Sequence, residues 1–529
     1  MAVPTIWDMD YDVVVAGYGF AGGWSAIAAH DAGARVAIFE KTRHFGGNSI
    51  LSGGGCSCAT DYDGCLAYLR ATNLDATDDE VLRAYAAEMM ELKGVMTTFA
   101  QEVGFDTELK RGGGTYPFPG HEQFEVVRFT VNDKFKGFPW TNAGRNTLAA
   151  LQAGNARSSG GGAVHFWILH EHVQRRNIEQ FYESPIHELI TDGEGAVLGV
   201  VAEVDGRRVN VRARRGVVLA TGGFEHNARL IAHYMQIRHA YSMSPLGNTG
   251  DGVLMAQKAG AALWHMWHVH GSYGIKVPDS PVAYRTPFGG YRNDTAGTQR
   301  RMPWVVVDRF GRRFMNEWPP AAADTPLREL EKFDFTILDY PRVPAFMVFD
   351  EEGRKQGPIA NPLFNDEDLT NSLSWSQDNL AEVAKGYVVK GESIQEIAAH
   401  WKIDPRTLTE TIERWNRACE LGVDTEHGRT PATMMPIKSP PFYTTAVTPI
   451  ITNTQGGPAH DARQRVIDPY GAAIPRLYVA GELGSIWGHV YLLSGNVLEC
   501  IIGGRIAGRA AAAEQPWLAA QPEPDLVAG

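Results

Sequence analysis

Tyr11-Asp-Val-Val-Val-Ala-Gly17-Tyr-Gly19-Phe-Ala-Gly22 is an apolar strand that runs straight into a glycine-rich turn. Each glycine answers a demand of a dinucleotide. Gly17 permits the tight turn, Gly19 lets the backbone approach a pyrophosphate, and Gly22 lets the following helix pack on the strand. That helix would aim its N-terminal N–H groups and positive dipole end at the phosphates. The next apolar run, Val36-Ala-Ile-Phe-Glu40, closes on a carboxylate placed to accept hydrogen bonds from ribose hydroxyls. Strand, glycines, helix and acid in this order predict a doubly wound α/β fold that binds a dinucleotide.

At 529 residues the chain exceeds one simple core, and two to three domains are expected. A composition of 44% hydrophobic and 21% charged residues is that of an ordinary globular protein. The net charge of −12 argues against a nucleic-acid partner, which wants a basic face. The 5 cysteines (Cys56, Cys58, Cys65, Cys419 and Cys500) have neither disulfide-scaffold nor paired zinc spacing, so idle thiols and no metal are expected. The first residues carry acids and no basic region, unlike a secretory signal, and no stretch is long and apolar enough to be a transmembrane segment. A soluble, cytoplasmic protein is the expectation, with a frayed tail from about Gln515.

Along the chain, a helix is expected over about 78–103, capped by Thr77-Asp-Asp-Glu80. Strands are expected in the segments from Gln180 and Gly195 and in Arg215-Gly-Val-Val-Leu-Ala-Thr-Gly-Gly223. After about Gly271 the strand–helix rhythm fades, apart from helices at 393–401 and 405–421. It returns with Pro475-Arg-Leu-Tyr-Val-Ala-Gly-Glu482 and a helix over 496–513. The division expected is a binding domain of residues 1–270 and 441–529, interrupted by a substrate domain of residues 271–440, with the site in the cleft between them.

Several further segments resemble the flavoprotein family of soluble fumarate reductases, urocanate reductase and 3-ketosteroid dehydrogenases. They are Gly46-Gly-Asn-Ser49, Ala220-Thr-Gly-Gly-Phe-Glu-His-Asn227, Asn248-Thr-Gly-Asp-Gly252, Gly311-Arg-Arg-Phe-Met-Asn-Glu317, Tyr478-Val-Ala-Gly-Glu482 and Ser494-Gly-Asn-Val-Leu498. The resemblance implies a Rossmann-type FAD-binding domain with an inserted α+β cap, and FAD held non-covalently. It assigns the cofactor to Gly17, Gly19, Phe20, Ala21, Gly22, Glu40 and Lys41, and to Gly46, Gly47, Asn48, Ser49, Ser52, Gly53 and Gly54. It also assigns Ile186, Ala220, Thr221, Gly222, Asn248, Asp251, Gly481, Glu482, Asn496, Val497 and Leu498. Glu482 resembles the acid that holds the ribityl chain. Gly495 to Leu498 would offer N–H groups to the flavin ring at a helix start. No second Gly-x-Gly-x-x-Gly turn follows a strand, so the electron donor or acceptor is left unidentified.

Two departures bear on the substrate. Fumarate reductases hold a dicarboxylate with an Arg and a His where this chain has Leu492 and Asn453. Losing a guanidinium forfeits a bidentate pair, so an apolar carbonyl substrate is expected instead. Tyr491 with Gly495 resembles the ketosteroid dehydrogenase pair, a hydroxyl and a backbone N–H, that polarises a ketone while a neighbouring carbon loses hydride. Tyr116 resembles a further tyrosine of that site; packing a loop is the equal alternative. The base tyrosine of the steroid enzymes is missing, because Glu317 is followed by Trp318-Pro-Pro-Ala-Ala-Ala. Arg354 falls about where the reductases carry a proton-donating arginine, with an exposed turn residue as the ordinary alternative. His489 either relays a proton or fills a strand position.

The expected activity is FAD-dependent oxidation of a CH–CH bond beside a carbonyl, with a hydrophobic cyclic ketone such as a 3-ketosteroid as substrate. The alternatives are an enone or unsaturated-acid reductase and, from another class, a non-redox FAD-containing hydratase or isomerase.

Overall fold

The computed structural model describes residues 3–112, 116–138, 148, 161–237, 239–286, 291–292, 300–319, 325–360, 375–491 and 494–517. Its first layer is an eight-stranded sheet. The strand Met9–Ala16 lies between Val36–Phe39 and Arg207–Leu219, parallel to both. Glu179–Phe181 extends one side and Ala473–Val479 the other, again in parallel. The central strands are apolar without alternation because both faces are buried, one against the first and last helices and the other against a second apolar cluster. Val13, Val14, Val15, Val217, Val218 and Leu219 are all fully buried.

The two ends of the chain meet on one face of this sheet. The helix Phe20–Asp31 packs against the helix Gly495–Ala512 so closely that a side chain at Gly508 would lie 2.2 Å from the Ser25 carbonyl oxygen. The Gly- and Ala-rich face of the last helix is thus a requirement of backbone approach.

A second sheet of seven strands is centred on Phe442–Thr454, which pairs with Val269–Ile275 on one side and Ala345–Asp350 on the other. It extends past both ends of the 271–440 span, taking in Tyr241–Ser242. Under it lies a buried ionic group. Arg313 bonds Glu317 through Nε and Nη2 at 3.0 and 2.9 Å and reaches Asp424 at 3.1 Å. Arg429 adds a third arm to Glu317 at 3.4 Å, and both guanidinium groups lie over the Trp415 ring. The segment Gly311 to Glu317 therefore has a packing role. A third sheet, antiparallel, joins Cys56–Ala59 and Thr107–Arg111 to the central strand Phe124–Phe129.

The helices expected from periodicity are found at Asp79–Glu102, Ile394–Trp401 and Pro405–Leu421. Thr77 does not cap the first of these. Its hydroxyl donates instead to the Ile486 carbonyl at 2.8 Å, across the molecule. Cys56, Cys58 and Cys65 are buried free thiols. Among the described residues no helix is long and apolar enough to cross a membrane, and no group of three or more His, Cys, Asp or Glu could hold a metal ion.

Candidate active site

The glycine-rich turn has the geometry its sequence implies. Gly17 adopts φ +99°, and a side chain on it would sit 2.4 Å from the Ala220 carbonyl oxygen. A side chain on Gly22 would strike the Gly17 carbonyl oxygen at 1.9 Å, so only glycine lets the helix lie this close to the strand. The loop after Glu40 folds back onto the turn: Phe20 N donates to Ser49 Oγ at 2.9 Å, and Gly46 N to the Tyr18 carbonyl at 2.7 Å. Glu40 is buried, its carboxylate fixed by Tyr18 N and by the Thr42 N–H and hydroxyl, each at 2.9 Å.

A cleft of about 1000 Å³ runs along this wall. Gly17, Gly19, Phe20, Ala21, Glu40, Lys41, Gly47, Asn48, Ser49, Ile186, Ala220, Thr221, Gly222, Asn248, Asp251 and Glu482 all line it. Lys41 and Asp251 are paired at 2.7 Å, with Thr249 Oγ1 also 2.7 Å from Lys41 Nζ. Gly22, Gly46, Ser52, Gly53, Gly54, Gly481, Asn496, Val497 and Leu498 are outside the lining. Ser52 Oγ instead takes the Gly54 N–H at 3.2 Å, and a side chain on Gly54 would meet the Gly161 backbone at 2.1 Å. Sequence reading missed Tyr18, Thr42, Pro185, Pro245, Met255 and Cys500, which also line the cleft. Tyr18 and Thr42 were within reach, being the variable place between Gly17 and Gly19 and the second residue after Glu40.

At the inner end stand two buried carboxyl groups, Glu482 and Glu225, and the second was not expected. Glu225 Oε1 accepts from Asn248 Nδ2 at 3.1 Å and from Ser244 Oγ at 3.3 Å. Glu482 accepts from Thr454 N at 3.1 Å and from Asn453 Nδ2 at 3.3 Å. Burial, and then the neighbouring Glu225, push the Glu482 carboxyl well above the usual range. Asn453, which stands where dicarboxylate reductases carry a histidine, is thus turned toward Glu482.

Beyond this point the last helix begins. Ser494 precedes it at φ +65°, and Gly495 packs on Trp487: a side chain there would lie 3.1 Å from the indole Nε1. That indole N–H is buried without a partner, as are both amide atoms of Asn496 and the Thr221 hydroxyl. Orphaned buried donors and acceptors beside a glycine cradle are what a bound polar ring system would satisfy, so these residues fit FAD.

Tyr491 is buried, and its ring stacks on His270 with centroids 4.0 Å apart. The histidines of Trp264-His-Met-Trp-His-Val-His270 hold this whole segment. His265 Nδ1 reaches the Ser485 carbonyl at 2.7 Å and His268 Nδ1 the Trp487 carbonyl at 2.6 Å. None of the three was singled out from sequence, although three histidines in six residues was an available signal.

The remaining expected residues are Tyr116, Arg354 and His489. Tyr116 is half-buried, its N–H donating to Tyr68 Oη at 3.1 Å, with its ring 5.9 Å from that of Phe118. Arg354 is buried, not an exposed turn residue. Glu351 grips it at 2.7 and 2.8 Å and the Asp378 carbonyl at 2.8 Å, and the bond to Glu351 pushes its proton affinity further up. An arginine so engaged is a poor proton donor. His489 is exposed in a bend rather than filling a strand position. Leu492 lies outside the described residues.

Comparison with known proteins agrees with this architecture. A model of the FAD binding domain matches residues 12–498. The chain is 25% identical to an NADH:fumarate oxidoreductase of Klebsiella pneumoniae, over 95% of this chain but 48% of that protein, so it spans about half of that relative's length. It is also 25% identical to a 3-oxosteroid 1-dehydrogenase of Mycolicibacterium smegmatis, covering 91% of this chain and 93% of that one. A crystal structure of 3-ketosteroid delta1-dehydrogenase from Sterolibacterium denitrificans, in complex with 1,4-androstadiene-3,17-dione, superposes with a TM-score of 0.78 at 23% identity, over 95% of this chain and 99% of that one.

Proposed function

The chain belongs to the FAD binding domain family and is a flavin-dependent oxidoreductase, and from that premise we propose that it dehydrogenates a CH–CH bond beside the carbonyl of a hydrophobic cyclic ketone, such as a 3-ketosteroid. The observation that carries this reading is the buried Tyr491 phenol, held flat by His270 and four residues before Gly495 at a helix start. A hydroxyl and a helix-start N–H aimed at one oxygen stabilise the enolate that forms when the adjacent C–H is lost. The helix dipole adds to this, since the positive end faces the developing charge.

Around that centre the chain does the holding. Gly17, Gly19 and the N-terminus of the first helix would take the pyrophosphate, Glu40 a ribose, and Glu482 with Glu225 the ribityl chain. Asn496, Thr221 and the Trp487 indole would satisfy the ring system. The chemistry FAD supplies when bound is acceptance of a hydride. The parallel sheet, whose strands come from both chain ends, supports an FAD domain built from residues 1–270 and 441–529, whereas the bounds of a 271–440 cap cut the second sheet, whose central strand Phe442–Thr454 lies past them.

Incubating the FAD-loaded protein with 3-ketosteroids and an artificial acceptor tests the reading: the expected product carries a new C=C bond conjugated to the ketone. Product formed only from an enone and reduced viologen would make it a reductase instead. Hydration or isomerisation without an acceptor would remove it from redox chemistry.

A further inference from the structure

The small antiparallel sheet carries a cation that the described chain leaves unanswered. Arg128 stands on its central strand, half-buried, with its Nε closed off from solvent and lacking a hydrogen-bond partner. The sheet's register sets Arg128 opposite Glu108. That carboxylate lies instead with Lys110, at 3.8 Å, and the strand's own acid, Glu125, is taken by Lys93 at 2.9 Å. On the other side its neighbour is Gly55, next to Cys56 in the strand pairing. A side chain there would sit 3.9 Å from Arg128 Nε and 3.3 Å from the Ser494 hydroxyl. Ser494 is the residue from which the last helix starts. Arg128 thus stands beside Gly55, the residue that also adjoins the start of that helix.

A guanidinium cannot shed its proton, and leaving one partly out of water without a counter-anion is unfavourable. We propose that Arg128 is the anion-binding group of the reaction chamber, receiving a planar anionic edge through its N–H fork. Two molecules bring such an edge: a substrate that carries a carboxylate besides its ketone, or the flavin, whose N1–C2 carbonyl edge becomes negative on reduction. The first source narrows the proposed substrate from neutral cyclic ketones to acidic ones; this part rests on the dehydrogenase reading, whereas the second needs only FAD.

Arg128→Gln and Arg128→Lys in the FAD-loaded protein decide it, by two readouts that need no turnover. The first is the midpoint potential of the bound flavin. The second is equilibrium titration of a cyclic ketone and of its carboxylate-bearing analogue, followed by perturbation of the oxidised flavin spectrum. Weakening of the carboxylate ligand by about tenfold or more in the Gln variant, with the neutral ketone unchanged, assigns Arg128 to the substrate. A shift of the oxidised–reduced equilibrium by about tenfold or more, away from the reduced form, assigns it to the flavin. Should the Gln variant fail to hold FAD, the Lys variant keeps the charge and loses the fork, and about a threefold change in either readout is expected. Flavin potential and ligand discrimination both unaltered would overturn the proposal. Failure of every ketone to reduce the flavin would sink the dehydrogenase reading and leave both readouts interpretable.

Discussion

The imidazole of His270 lies over the phenol of Tyr491, centroids 4.0 Å apart and planes 21° from parallel. Both rings are buried, and His270 is fixed on a strand of the second sheet by pairing with Asn453. The stack ties the second sheet to the segment before the last helix at the residue proposed to polarise the substrate carbonyl, and it restricts the plane of the phenol. Stacked aromatic pairs contribute about 0.5–1.5 kcal/mol beyond area burial, enough to bias a side-chain torsion.

Removing the Tyr491 hydroxyl should therefore harm chemistry, and removing its support should harm it less. Tyr491→Phe is expected to lower ketone turnover by about 10–100-fold with FAD still bound. His270→Ala should lower it by about 2–10-fold, the stacking energy expressed as a rate, while His270→Phe stays near the parent. Steady-state rates check this; a His270→Phe variant as poor as His270→Ala would mean the imidazole acts chemically.

Glu499 sets a pH dependence of stability. It is fully buried one turn into the last helix, with its carboxyl 2.6 Å from the Ser485 hydroxyl, which is itself 2.8 Å from Gln455 Oε1. A hydroxyl has one proton to donate, so if Gln455 receives it, Glu499 must supply its own. Burial pushes this carboxyl up from 4.5 to about 8. A raised folded pKa gives stability that is complete below about 4.5 and lost as pH rises through about 8. Thermal unfolding midpoints should fall between these limits. Glu499→Gln, which keeps a donor to Ser485, should flatten that slope; an unchanged slope would contradict the assignment.

Glu317 holds two buried arginines, and although burial pushes its carboxyl up, Arg313 and Arg429 outweigh that and keep it ionised below the usual range. Glu317→Gln leaves an uncompensated positive charge beneath the second sheet. A loss of about 3–5 kcal/mol in denaturant-induced unfolding is expected. A loss of turnover without loss of stability would instead give this residue a catalytic role.

Gly22→Ala should abolish FAD retention, because the added carbon meets the Gly17 carbonyl oxygen at 1.9 Å and forces the helix off the strand. Gly94→Ala, on the helix Asp79–Glu102, meets nothing within 4 Å and should leave flavin content unchanged. Flavin absorbance per purified chain distinguishes the two.

Local chemistry made much of the cleft legible in sequence. The Gly17 turn, Glu40, Asn48, Thr221 and Glu482 sit in short motifs whose backbone demands are nearly self-contained, and all five line the cleft. What stayed hidden depends on distant pairings. Glu225 meets Glu482 only because Phe442–Thr454 brings Thr454 alongside both. His270 meets Tyr491, and Arg128 and Ser494 both adjoin Gly55, across separations that no periodicity reports. Arg354 was read as a proton donor or an exposed turn residue, whereas its fork is held by Glu351 three residues before it and by the Asp378 carbonyl, a partner that no local pattern reports.

The most direct test is one anaerobic mixing experiment. FAD-loaded protein is combined with a saturated 3-ketosteroid, and the oxidised flavin absorbance is followed through a single turnover. The account predicts bleaching, matched mole for mole by a steroid with a new C=C bond conjugated to its ketone. A flavin that stays oxidised with every cyclic ketone, neutral or carboxylated, yet is readily bleached by dithionite, would contradict it.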